Sequence, residues 1–92
     1  AAVPDTKTAI TELLTVRDFI RFAVSAFNEA ELFYGHGTFS PYDEAVFLVL
    51  ETLKLPIDQL EPYLDARLLT AERRKLAELI EKRIVTRKPV PY

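Results

Sequence analysis

The stretch SPYDEAVFLVLETLKLP, residues 40–56, decides how this chain folds, because its apolar middle can be read as a buried strand or as a buried helix. Its first residues favour the helix. Ser40 carries a hydroxyl that can accept from the unpaired amides of a first helical turn. Pro41 suits the first helical position because its missing donor is not needed there, and Asp43 and Glu44 oppose the positive end of the helix dipole. Downstream, Ala45, Val46, Leu48, Val49, Leu50, Leu53 and Leu55 run apolar nearly all round, broken chiefly by Glu51, Thr52 and Lys54. The β-branched residues among them are too interrupted by Leu, Ala and Glu to favour a strand. A helix that is apolar on most sides is one that its neighbours surround. The spacing therefore predicts a central helix that Pro56 stops, since proline cannot continue the hydrogen-bond ladder and biases Leu55 toward extended geometry.

The flanking segments repeat the helical period. Val16, Phe19, Ile20, Ala23, Val24 and Phe27 recur at three and four residues, with Arg17, Arg21, Ser25 and Asn28 on the other side, which is the pattern of an amphipathic helix. Thr15 followed by Asp18 has the spacing of a capping box, with a carboxylate one carbon shorter than the usual Glu. Residues 5–14 read as a preceding helix or turn with Ile10, Leu13 and Leu14 inward. After Pro56, Asp58 and Glu61 again have capping-box spacing, and a short helix is expected there with Leu60, Tyr63 and Leu64 as its apolar contacts. A last helix should begin after Thr70, bury Leu76, Leu79, Ile80 and Ile84, carry Arg74, Glu78 and Lys82 as an exposed ladder, and stop at Pro89 and Pro91. The expected fold is all-α, a compact four- or five-helix bundle with short links.

Ninety-two residues make one small domain with a single core. No segment approaches the roughly 18 apolar residues of a membrane span, so the expectation is a soluble chain without a membrane partner. The absence of cysteine excludes a disulfide framework and thiolate metal sites, and with no secretory leader visible it agrees with a cytoplasmic location. Charge is segregated along the chain. Residues 1–66 carry 4 basic and 11 acidic side chains, a net of −7, and residues 67–88 carry 8 basic and 3 acidic, a net of +5. An acidic body can attract a basic partner, and a basic helix can lie near nucleic acid, although a solvated helix face accounts for the second pattern equally well.

Between the first amphipathic helix and Ser40 lies the densest chemistry in the chain. Tyr34-Gly35-His36-Gly37-Thr38 holds both glycines and the single histidine. A phosphate cradle would need GxGxxG or GxxxxGK[ST] spacing after a strand, and neither pattern occurs. One histidine and no cysteine leave a metal short of ligands, with no HExxH or EF-hand spacing to supply them. A nucleophilic arrangement of His36 with Thr38, Ser40 and Asp43 is close in sequence, but such groups fall together by chance in many loops. A tight turn explains the same residues. Gly35 can end a helix in left-handed geometry and Gly37 can permit the reversal, with Phe33, Tyr34 and Phe39 packed beneath.

These residues also carry a resemblance. Tyr34-Gly35-His36-Gly37-Thr38, then Ser40-Pro41-Tyr42-Asp43-Glu44-Ala45-Val46, Leu48-Val49-Leu50 and Leu53-Lys54-Leu55-Pro56 resemble the N-terminal domain of the HemK-like protein-glutamine methyltransferase family. Upstream, Thr15-Val16-Arg17-Asp18 and Arg21-Phe22-Ala23-Val24-Ser25-Ala26-Phe27 look like that domain's first long helix. Downstream, Ala66-Arg67-Leu68-Leu69-Thr70, Arg83-Ile84 and Arg87-Lys88-Pro89-Val90-Pro91-Tyr92 look like its approach to the catalytic domain. The YGHGT stretch favours the branch that modifies a ribosomal protein over the branch that modifies release factors.

The resemblance implies a parent enzyme that transfers a methyl group from S-adenosylmethionine to a glutamine side-chain amide of ribosomal protein L-three. The family's Gly-rich cofactor loop and its Asn-Pro-Pro-Tyr motif are missing here, for Asn28 is the one asparagine and no Asn-Pro pair occurs. This stretch alone is therefore expected to hold no catalytic residue, no cofactor and no metal. It implies a substrate-recognition domain over residues 1–88 and, at residues 89–92, the start of a linker to the protein's own catalytic domain. The substrate-recognition candidates are Tyr34, Gly35, His36, Gly37, Thr38 and Tyr42. The rival reading is a free-standing helical adaptor or nucleic-acid-binding domain using residues 67–88, but no helix-turn-helix pattern supports it, and Glu72, Glu78 and Glu81 dilute the basic face.

Overall fold

The computed structural model describes residues 6–30 and 40–86. Among these residues four α-helices follow one another, α1 Thr6–Glu12, α2 Val16–Glu29, α3 Pro41–Leu53 and α4 Thr70–Thr86, with one 3-10 turn at Glu61–Tyr63 before the last. Among the described residues there is no strand, only an isolated antiparallel bridge between Thr15 and Arg67. The fold is an all-α bundle in which α2 packs mainly on α3, and α1 on α4.

Helix starts lie where their caps predict. Thr15 and Ser40 are extended N-caps, each accepting from the amide three residues on, and Asp18 and Asp43 return the bond to the cap backbone, so both are complete capping boxes. Pro41 occupies the first turn of α3. That helix ends at Leu53, where Lys54 turns into the left-handed region with φ 61°. The Leu55 amide then reaches back to the Leu50 carbonyl at 2.9 Å, closing the helix before Pro56 is reached. The central position of α3 holds: Ala45, Leu48, Val49 and Leu50 are fully buried. On α2 the buried side is Val16, Phe19, Ile20, Ala23 and Phe27, and on α4 Leu76, Ala77, Ile80 and Ile84 join the same core, with Leu79 half-buried against it.

Three local expectations are corrected. The helix expected from Asp58 is one 3-10 turn whose N-cap, Leu60, makes no side-chain bond. Pro62 lacks a donor there, and the chain beyond it is taken up by long-range pairing rather than by a second turn. Leu60 and Leu64 still pack against the core, as expected. Leu14 is 37% exposed rather than inward, and Ala9 supplies the fully buried residue of α1, because the backbone of Leu14 is committed to pairing with Leu68. Helix α4 includes Thr70 as its first residue, and the Leu69 amide donates to Glu72 Oε1 at 2.8 Å just before it. Arg74, Glu78 and Lys82 are exposed as expected, yet no ion pair forms among them.

The long-range pairing has a clear physical function. The first amides of any helix lack an intrahelical partner. In α2 they find one far along the chain: Val16 N–H donates to the Ala66 carbonyl at 3.2 Å and Arg17 N–H to the Leu64 carbonyl at 2.8 Å, while Leu68 N–H donates to Leu14 at 2.9 Å. Residues 64–68 therefore cap α2 in place of water. Arg17 adds an exposed pair with Asp65 at 3.2 Å, which contributes little by itself.

At the same junction, Asp18 Oδ2 accepts from the Leu14 amide at 3.0 Å and the Thr15 amide at 3.1 Å. The Leu14 bond is the largest influence holding its carboxyl below the ordinary value of 3.8. The backbone and hydroxyl of Thr15 and the charge of Arg21 act in the same direction, against partial burial. A carboxylate with a lowered folded pKa stabilises fully above the unfolded value, and the contribution is lost as pH falls through the folded one. Asp18→Ala should cost about 1 kcal/mol near neutral pH. Denaturation of parent and variant across pH should show that gap narrowing below the ordinary value of 3.8.

Candidate functional site

Of the substrate-recognition candidates, Tyr34, Gly35, His36, Gly37 and Thr38 lie outside the described residues, as do Phe33 and Phe39. Tyr42 is described. It occupies the second position of α3 and is 52% exposed. The turn that carries it is fixed from both sides, since Ser40 Oγ accepts from the Asp43 amide at 3.1 Å and Asp43 Oδ2 accepts from the Ser40 amide at 3.4 Å. An aromatic ring half-exposed on a capped helical turn is a group that would lose little conformational entropy if it met a partner.

Directly beneath that turn is a feature that the apolar periodicity does not announce. Glu44 is 2% exposed and Arg83 5%. They are the buried charged residues among those described, and they face each other across the bundle. Arg83 Nε donates to Glu44 Oε2 and Nη2 donates to Glu44 Oε1 at 3.1 Å, the two-pronged geometry in which a guanidinium matches a carboxylate. The guanidinium carbon lies 6.0 Å from the centroid of the Phe27 ring. Side chains from α2, α3 and α4 thus meet at one point. Glu44 stands in the first turn of α3 and Arg83 in the last turn of α4, so each charge also has the sign that its helix end favours.

This arrangement fixes geometry. Both oxygens of Glu44 accept from the one guanidinium, so the orientation of the carboxylate is set by its partner. Among the described residues, no three His, Cys, Asp or Glu side chains gather as a metal site requires, and no helix is long and apolar enough to cross a membrane. The pair did have a signal in the sequence. Arg83 falls on the α4 stripe of Leu76, Ile80 and Ile84, and Glu44 lies one turn before Leu48, so each position hinted at burial while neither named its partner.

No family model matches the chain, and no solved structure matches it. Curated proteins do. The chain is 57% identical over 84 residues to the ribosomal protein uL3 glutamine methyltransferase of Neisseria gonorrhoeae, covering 91% of this chain and 28% of that protein. It is 51% identical over 81 residues to the protein of that name from Bordetella pertussis, covering 88% and 27%. To the one from Bradyrhizobium diazoefficiens it is 49% identical over 81 residues, covering 88% and 25%. The chain thus spans little more than a quarter of the length of the relatives that it matches. Over about nine-tenths of its length the chain is thus similar to roughly a quarter of proteins named ribosomal protein uL3 glutamine methyltransferase.

Proposed function

We propose that this chain is the N-terminal, substrate-recognition part of an S-adenosylmethionine-dependent methyltransferase that modifies a glutamine amide of ribosomal protein uL3. The observation that carries the reading is the 49–57% identity to proteins of that name over about nine-tenths of the chain, joined to a match with only about a quarter of their length. Nine-tenths of this chain corresponds to a minor share of a longer enzyme, and the share it represents is helical. Its contribution is to bind the protein substrate and hold the glutamine near the methyl donor, an effect of proximity and orientation. The donor belongs to the remainder of the longer protein. The excess of acidic groups over residues 1–66 suits a basic substrate. Direct nucleic-acid contact is not part of the reading, because Glu78 interrupts the exposed Arg74, Lys75 and Lys82 of α4.

The test uses this chain extended to its relatives' full length beside the 92-residue chain. The longer protein should label a uL3 glutamine with methyl from S-adenosylmethionine, and calorimetric titration of the 92-residue chain with that cofactor should be flat. Cofactor binding by the short chain, or no labelling by the long one, overturns the proposal. His36→Ala in the long chain should raise KM for uL3 by about tenfold with cofactor affinity unchanged if the loop recognises substrate. If the loop acts only as a turn, Gly35→Ala or Gly37→Ala should cost more than about 1 kcal/mol wherever φ is positive, and His36→Ala should leave KM as it is.

A further inference from the structure

We propose that Glu44 and Arg83 are positioning residues that hold the first turn of α3, which carries the exposed Tyr42, in fixed register with the last described turn of α4. This rests on the substrate-recognition reading above and deepens it. The pair is an expensive way to fill a core. Burying two charges costs several kcal/mol per ion before their attraction is counted, and apolar residues of similar volume often serve stability as well or better. Ala45, Leu48, Ile80 and Ile84 show that these same helix ends otherwise pack with apolar side chains.

An apolar contact is non-directional and permits one helix to slide or rotate against the next. The fork permits neither. Two bonds from one planar guanidinium fix the orientation of the Glu44 carboxylate, and the Phe27 ring lies alongside that guanidinium. Glu44 sits two residues after Tyr42 in the turn capped by the Ser40–Asp43 box, so holding Glu44 holds the backbone from which Tyr42 projects. Arg83 sits three residues before Thr86, the last described residue of α4. One buried pair therefore ties the turn that carries Tyr42 to the last described turn of α4.

The decisive variant replaces both partners, Glu44→Met with Arg83→Met, leaving no unpaired charge. Thermal unfolding of the 92-residue chain should stay near that of the parent. Amide exchange at Asp43, Glu44, Arg83 and Ile84 should nevertheless rise about tenfold, while Leu48 and Leu50 keep their protection. In the relatives' full-length form, KM for uL3 should rise about tenfold with kcat and the cofactor KM within about twofold. Arg83→Lys keeps the charge and loses the fork, so it should move exchange and KM in the same direction; it carries the test if the double variant does not fold. A folded double variant with unchanged exchange and unchanged KM overturns the proposal and leaves the pair a packing feature. If the unaltered full-length protein transfers no methyl group to uL3, the recognition reading fails, and the exchange measurement alone still decides whether the pair positions Tyr42.

Discussion

Arg83→Met with Glu44 left in place should destabilise the bundle by about 3–5 kcal/mol, far more than replacing both partners together. The asymmetry follows from what each variant leaves behind. A guanidinium removed alone strands a carboxylate that is 2% exposed, with no water to solvate it and no donor on its two oxygens. The chain must then protonate it or open the bundle to hydrate it. Replacing both partners removes that burden. A 92-residue domain has a total stability of only about 5–14 kcal/mol, so the single variant should lose a large share of it. Urea denaturation of the three proteins checks this. A loss below about 1 kcal/mol for Arg83→Met would mean that water reaches Glu44 in the folded chain.

Phe27→Ala should cost about 3–5 kcal/mol, the range for deleting a buried aromatic side chain. Phe27 is fully buried on the inner side of α2, and its ring also lies beside the Arg83 guanidinium, so truncation leaves a cavity in the core and removes that support. The two effects share a location and should not add. A double-mutant cycle of Phe27→Ala and Arg83→Met should show a coupling of about 0.5–3 kcal/mol, in which the second loss is smaller than it is in the parent background. Strict additivity in denaturation would show that the ring and the guanidinium act independently and that Phe27 matters only for volume.

What the chain encodes locally and what it leaves to the core divide along chain distance. Thr15 with Asp18, Ser40 with Asp43, and Pro41 in the first turn were legible because a cap is made within three residues, where local geometry decides the partner. The buried stripes of α2 and α4 were legible for the same reason, since helical period alone brings Phe19 and Ala23, or Leu76 and Ile80, to one side. Asp58 and Glu61 had the same local spacing but gave only one 3-10 turn, because residues 64–68 were drawn into pairing with residues 14–17 and Pro62 lacks a donor between. Leu14 turned outward through the same competition. For the candidate site, Tyr42 could be placed on the first turn of α3 from Ser40 and Pro41, whereas the pair beneath it could not be assigned from either half alone.

By itself, then, the sequence determined the described helices, most of their boundaries, the apolar sides on which they meet, and a similarity to part of longer named proteins along nearly the whole chain. Those properties are carried by neighbours within a turn or by identity residue for residue. Only the tertiary structure decided that Glu44 meets Arg83 across 39 positions and that carbonyls of Leu64 and Ala66 cap the amides of α2. A partner that far along the chain is selected by how the whole core closes. Many pairings satisfy the same local pattern, and what separates them is the cost of leaving a charge or a helix-end amide buried without a partner.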